Sequence, residues 1–108
     1  MPDTDAARAR LEAQLAEFES RLARIAADLA EPLAADSSEQ AVETEDDAAL
    51  EAQAALITGE IASAKRALER IAEGTYGECA QCGGEIAQGR LEARPEAALC
   101  IECATRSE

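Results

Sequence analysis

The sequence predicts a mainly α protein, an antiparallel coiled-coil helical hairpin followed by a small cysteine-rich module and a short C-terminal helix. Two long segments repeat apolar residues at alternating spacings of four and three, which is typical of a coiled-coil seam. Aromatic residues make up only 2% of the 108 residues, and most of the apolar content is alanine. Because alanine favours helix but buries little area, narrow helix–helix seams are expected rather than a broad core.

The first predicted helix runs from about residue 5 to residue 30. Thr4 or Asp5 is expected to cap its start by accepting a hydrogen bond from a first-turn N–H. Pro32 is expected to end it, since proline disfavours helix at the residue before it. The apolar seam of this helix consists of Leu11, Leu15, Phe18, Leu22, Ile25 and Leu29.

The second predicted helix runs from about residue 38 to residue 73 and ends at Gly74. Because the link between the helices is short, they must run antiparallel. At 1.5 Å per residue they would be ~40 Å and roughly 50 Å long. The hairpin is therefore assigned to residues 1–74 and the cysteine-rich module to residues 75–108. The second seam consists of Leu50, Ala54, Ile57, Ile61, Ala64, Leu68 and Ile71.

The charge is strongly acidic and unevenly placed. The formal net charge is −13, and no Lys or Arg occurs between Arg24 and Lys65. An acidic tip is thus predicted at about residues 31–47, where a solvated, partly frayed loop is the alternative interpretation. So negative a chain is poorly suited to neutralising phosphates, and a basic surface or a metal centre is the expected partner.

The four cysteines have the spacing of a zinc site. Cys79 and Cys82 form one CxxC pair, Cys100 and Cys103 form another, and seventeen residues separate the pairs. This pattern predicts one structural zinc ion held by four thiolates, a closed site with no open position for catalysis. Thiol redox chemistry is the alternative, but it would require a βαβ context that the sequence lacks.

The remainder of the module is expected to fold around the metal. Gly83 and Gly84 can take positive φ and direct N–H groups at sulfur. The stretch 85–94 has room for a short β-hairpin turning at residues 88–89, and the second cysteine pair is expected to open a short helix that runs to Arg106.

Other function classes find little support in the residues. Tyr76 is the only aromatic residue near the cysteines and acidic residues outnumber basic ones there, which disfavours direct nucleic-acid binding. No apolar stretch approaches the ~20 residues of a membrane span, so a cytoplasmic protein is expected. The chain has no His, no phosphate-binding glycine loop and no nucleophile beside a base, so an enzyme is not expected.

One motif runs through the module: residues 74–83 (GTYGECAQCG), Ile86, residues 90–94 (RLEAR), Pro95 and residues 99–103 (LCIEC). It resembles the zinc finger of the DksA/TraR family, and the preceding hairpin has the arrangement that the family fold requires. The resemblance therefore extends over nearly the whole chain, and the short flanks are similar to those of the compact TraR-like members.

This resemblance implies a transcription regulator that binds bacterial RNA polymerase without contacting DNA. Family members insert the coiled-coil tip through the secondary channel towards the catalytic Mg²⁺ and alter open-complex stability. At the tip positions the family carries two aspartates three apart and then an alanine. Here Asp36, Glu39 and Ala41 occupy those positions, so the second acid is longer by one methylene.

Some family members also respond to ppGpp in the stringent response, through basic residues on the second helix, in the finger and after the last cysteine. This chain has Ser63, Arg94 and Ala104 there. Only the arginine remains as a possible ppGpp contact, so the resemblance implies weak or absent ppGpp coupling.

Two alternatives remain open on the sequence. The chain could be a zinc-stabilised coiled-coil module that pairs with another helical partner or with itself, or a polymerase-binding paralogue whose tip is impaired. A hairpin with intramolecular seams should be a monomer, whereas an opened helix should dimerise.

Overall fold

The computed structural model describes residues 3–30 and 37–106, and within that part the side chains of residues 37–46 lie outside the description. The described chain forms four helices and no β-strand, with one isolated antiparallel bridge between Glu78 and Glu85. The two long helices pack as a hairpin and a short helix closes the finger, which confirms the predicted fold class. The helices are α1 (Thr4–Ala30), α2 (Ser37–Glu73), α3 (Gln88–Ala93) and α4 (Ile101–Arg106).

The chain divides into two compact units, and each long helix contributes to both. The first unit comprises Met1–Leu15 and Ala62–Glu108, so it contains the start of α1, the end of α2 and the whole finger. The second unit is Ala16–Ile61, the remainder of the hairpin. None of the described helices is long and apolar enough to cross a membrane.

The seams predicted from apolar spacing are the buried faces of α1 and α2. Leu11 is fully buried and Ile25 is 7% exposed, and every other predicted seam residue is buried or half-buried. Leu56, which the spacing places off the seam, is 73% exposed. Two buried alanines were missed. Ala7 precedes Leu11, where the α1 pattern was begun, and Ala67 adjoins Leu68, which was assigned to that step of the α2 pattern.

The cap of α1 lies one residue earlier than the sequence suggested. The Asp3 carboxylate accepts a hydrogen bond from the Ala6 N–H at 3.0 Å, and the Asp3 carbonyl accepts one from Ala7. This is an N-cap with its bond to the third helical residue. Thr4 is therefore the first residue of the helix, and the prediction of Thr4 or Asp5 as the cap is wrong, because three consecutive residues could all have served.

The end of α2 matches the prediction. Gly74 has φ of +80°, a left-handed conformation in which a side chain would be strained. Its N–H donates to the Ile71 carbonyl at 3.2 Å, and the Thr75 N–H donates to the Arg70 carbonyl at 2.9 Å. This pair of bonds is a Schellman motif, which satisfies two carbonyls that the helix end would leave open.

The β-hairpin predicted for residues 85–94 is wrong, because that stretch contains α3. Arg90 and Leu91 both donate their N–H groups to the Ala87 carbonyl, at 3.0 and 3.1 Å. Leu91 is 5% exposed and belongs to the core, which fixes the helix by burial of one face. Gly89 therefore lies inside a helix and not at a turn. The short helix predicted to end at Arg106 is confirmed as α4.

Candidate metal centre

The four cysteine sulfurs meet at one point in the first unit. Their Sγ atoms all lie within 4.8 Å of one another, and none is in a disulfide. Cys79 and Cys82 stand in the turn that follows Glu78, while Cys100 directly precedes α4 and Cys103 lies within its first turn. Two CxxC segments far apart in sequence thus supply two sulfurs each.

This geometry fits zinc. A Zn–S distance of about 2.3 Å in a tetrahedron places neighbouring sulfurs about 3.8 Å apart. The Cys82 and Cys100 sulfurs, which come from different pairs, are 3.8 Å apart. Four thiolates close the coordination sphere and leave no position for water or substrate, so the zinc site is structural.

The loop carrying the first pair is shaped by its glycines. Gly83 has φ of +76°, and its N–H donates to the Cys79 carbonyl at 2.9 Å. This turn directs the Gly84 N–H at the Cys82 sulfur, 3.4 Å away, a bond that orients a ligand and stabilises its negative charge. The φ angle of Gly84 is not positive, so the expectation of positive φ at both glycines is wrong for Gly84.

The pKa values of the two buried thiols, Cys79 and Cys103, are shifted in opposite directions. The backbone N–H groups of Cys82 and Cys100 lower the pKa of Cys79 to about 6. Hydrogen bonding with the Cys100 side chain, and then burial, raise the pKa of Cys103 to about 12. Clustered sulfurs repel one another as thiolates, and a divalent ion that binds all four removes this conflict.

The finger and the end of the hairpin share one hydrophobic core. Tyr76 and Ile86, both in the finger, are 8% and 5% exposed. The Tyr76 hydroxyl donates to the Pro95 carbonyl at 2.9 Å, so its polar atom is satisfied although the ring is buried. From the helices, Leu11 and Ala67 contribute to the same cluster. The zinc site is thus built against the hairpin.

The tip residues named by the resemblance fall largely outside the description. Asp36 lies outside the described residues, while Glu39 and Ala41 lie on the helical backbone of α2 with side chains outside the description. Their assignment to the tip stays a prediction. Arg94 is described: it follows α3, and its Nε lies 3.1 Å from the Glu96 carboxylate, with the arginine side chain 60% exposed.

One participant in this region was missed from the sequence. Arg70, in the last turn of α2, extends its guanidinium to the Glu96 and Ala97 carbonyls, with Nη2 at 3.5 and 3.4 Å. Burial lowers its pKa from the usual arginine value. No periodic spacing in the sequence points to this contact, because the two carbonyls lie 26 and 27 residues further along the chain.

Two family models match the chain in succession. Residues 8–71 match the DnaK suppressor protein-like N-terminal domain, and residues 74–108 match the prokaryotic dksA/traR C4-type zinc finger. Together the matched segments contain both long helices and all four cysteines.

Individual relatives agree with these matches. The RNA polymerase-binding transcription factor DksA of Escherichia coli (strain K12) is 46% identical over 44 residues, 41% of this chain and 29% of that protein. Its namesake from Buchnera aphidicola is 51% identical over 41 residues, 38% of this chain and 27% of that protein. The matches thus span less than a third of the length of these curated relatives.

A solved structure resembles the chain over nearly its full length. Transcription factor DksA2 from Pseudomonas aeruginosa has a TM-score of 0.83 and 31% sequence identity, covering 95% of this chain and 81% of that one. With the hairpin and the four-cysteine finger matched in the same order, the chain belongs to the DksA/TraR family.

Proposed function

We propose that this protein is a non-enzymatic transcription factor that binds bacterial RNA polymerase. The observation that carries the proposal is the match of both family models, hairpin and finger, in their proper order. Relatives that match about two fifths of the chain are named RNA polymerase-binding transcription factors. A factor with this partner works in the cytoplasm, as expected from the sequence.

The hairpin is proposed to enter the secondary channel of the polymerase with its acidic tip towards the active site. Support comes from charge, because no Lys or Arg occurs between Arg24 and Lys65 while the chain carries a net charge of −13. An acidic segment suits a basic channel that leads to a metal ion. Contact there would change open-complex stability without direct binding of DNA.

The tip contact is proposed to involve Asp36, Glu39 and Ala41. Glutamate keeps the charge of aspartate but displaces the carboxylate by roughly 1.5 Å, enough to weaken a contact that depends on geometry. Activity that increases in Glu39→Asp with unchanged polymerase affinity would assign the effect to the tip. Equal activity of the two forms would show that the longer acid is tolerated.

Coupling to ppGpp is proposed to be weak or absent. Ser63 and Ala104 offer no positive charge, and Arg94 is paired with Glu96 at 3.1 Å. A titration of ppGpp into polymerase with and without the protein tests this. Tight ppGpp binding that requires the protein, and that Arg94→Ala abolishes, contradicts it.

A second candidate is a zinc-stabilised coiled-coil module that pairs with another helical partner or with itself. It is favoured by one observation in the second unit: Leu56 is 73% exposed beside an open groove of about 540 Å³ that is also lined by Ile25 and Ile57. Sedimentation over a range of concentrations addresses self-association. A constant monomer mass supports the intramolecular hairpin.

Competition on purified polymerase tests the leading proposal. The protein should displace a labelled secondary-channel factor, and Leu11→Ala, which removes a fully buried side chain of the hairpin, should do so less well. Simultaneous binding of both proteins would refute the secondary-channel mode. Absence of any polymerase binding would refute the proposed function itself.

A further inference from the structure

The segment Pro95–Leu99, here termed the ligand strap, leads from the end of α3 into the zinc ligand Cys100. All five of its backbone carbonyls accept hydrogen bonds from elsewhere in the first unit. The donors are Tyr76 Oη to Pro95 (2.9 Å), Arg70 Nη2 to Glu96 (3.5 Å) and Ala97 (3.4 Å), the Ala80 N–H to Ala98 (2.8 Å) and Arg90 Nε to Leu99 (2.9 Å).

The strap is also held by its side chains. Pro95 is among the fully buried side chains and Ala97 is 8% exposed within the core cluster. A segment whose carbonyls are all bonded and whose apolar residues are buried or half-buried has little freedom of its own. The position of Cys100 at its end is therefore set by the groups that hold the strap.

Among the strap's donors, Arg70 alone belongs to the hairpin. The other donors, Tyr76, Ala80 and Arg90, lie within the finger. Arg70 also forms part of the end of α2, since its own carbonyl accepts the Thr75 N–H of the Schellman motif. One residue thus contacts both the last turn of α2 and the segment that presents a zinc ligand.

Two buried atoms belong to the residues that form this contact. Arg70 Nε and Glu96 Oε2 are both buried and have no direct hydrogen-bond partner within residues 3–30 and 37–106. They carry opposite charges on two residues already joined through the Glu96 carbonyl.

We propose that Arg70 is a positioning residue for the zinc site, which it serves by fixing the ligand strap and hence Cys100. Because coupling between two ordered elements is reciprocal, zinc binding in turn stabilises the last turn of α2 through the same contact. The metal and the end of the hairpin helix then order together rather than independently.

Zinc affinity of the full chain, measured by competition with a chromogenic chelator, tests the proposal. Arg70→Met keeps the apolar stem and removes the donors, and should weaken zinc binding roughly tenfold, as loss of an outer contact to a ligand does. Arg66→Met is the matched control, since exposed Arg66 lies one turn earlier and donates to the Ser63 hydroxyl on its own helix, at 3.4 Å. Equal affinities of the two variants overturn the proposal.

Urea unfolding with and without zinc distinguishes the positioning role from a general contribution of Arg70 to stability. If Arg70 only stabilised the hairpin, Arg70→Met would destabilise both forms equally and zinc affinity would not change. The proposal requires a larger loss in the zinc-loaded form. It also requires faster hydrogen exchange at the Gly74 and Thr75 amides of the wild type when zinc is removed. In Arg70→Met, removal of zinc should accelerate this exchange less.

Arg70→Gln covers the case in which Arg70→Met fails to fold. This variant keeps a polar side chain, so the fold is disturbed less, but the side chain ends two bonds short of the Nη2 atom that contacts the strap, so the contact is lost. Weakened zinc binding in a folded Arg70→Gln supports the positioning role. Wild-type affinity in that variant overturns it.

Discussion

Cys79 and Cys103 are almost completely buried, whereas Cys82 is exposed and Cys100 is half-buried. The four zinc ligands are therefore unequally protected from solvent. Buried Cys79 also has its pKa lowered to about 6 by backbone N–H groups, so the fold favours a thiolate where the metal requires one. Replacement of an exposed ligand tests the zinc site with the least disturbance of packing.

Cys82→Ser should abolish stable zinc binding. A hydroxyl is a poor substitute for a thiolate as a zinc ligand. Structural zinc contributes a folding free energy on the order of 10 kcal/mol, and the variant would lose a large part of it. Zinc content after dialysis against a chelator is the measurement. Ala80→Ser, an exposed change in the same loop, is the control and should retain one zinc per chain. Full zinc content in Cys82→Ser would contradict the four-thiolate site.

Among individual residues, the metal ligands could be predicted from the sequence, because their spacing is set by the geometry of the metal site. The two CxxC pairs predicted the cluster because reduced thiols at this spacing are typical ligands of one shared zinc ion. Arg70 and the ligand strap could not be predicted, because the carbonyls that Arg70 contacts are 26 and 27 residues away in sequence. Every residue has a backbone carbonyl, so the residue types in the strap do not show which carbonyls accept a side-chain hydrogen bond.

Among the helices, α1 and α2 were predictable and α3 was not. The seams repeat over many turns, so their spacing outweighs local exceptions. In α3, six residues contain Gly89 near the start, and glycine after glutamine suggested a turn. Burial of Leu91 against the core decided the helix, and this tertiary contact overrides a weak local preference.

Leu11→Ala should lower the free energy of unfolding of the zinc-loaded chain by about 2–5 kcal/mol, since Leu11 is fully buried and its removal leaves a cavity. Leu56→Ala is the control from α2. Because Leu56 is 73% exposed, the change should be within about 0.5 kcal/mol. Urea unfolding followed by circular dichroism measures both. Comparable losses in the two variants would contradict the assigned seam.

Asp3→Ala should destabilise the start of α1 by about 1 kcal/mol, because it removes the carboxylate that accepts the Ala6 N–H. Thr4→Ala should have little effect, since Thr4 is the first helical residue and not the cap. Hydrogen exchange at the Ala6 amide discriminates between them. Faster exchange in Thr4→Ala than in Asp3→Ala would restore the cap originally predicted from the sequence.

On the scale of the whole molecule, the sequence predicted the two long helices, the four-cysteine module and the short C-terminal helix in their order along the chain, but not how the finger is built into the hairpin. The first unit draws on two separate segments of the chain, with Leu11, Ala67 and Tyr76 in one cluster. Such a cluster depends on contacts between residues distant in sequence, which no periodic pattern reports. Family membership, in contrast, could be recognised from the finger motif alone.

The lifetime of open complexes formed by bacterial RNA polymerase on a ribosomal RNA promoter tests the central claim most directly. The protein should shorten that lifetime, and Asp36→Asn, which removes one tip charge, should abolish the effect while leaving zinc content and polymerase binding intact. A lifetime unchanged by the wild-type protein, despite demonstrated binding to polymerase, would contradict regulation through the tip.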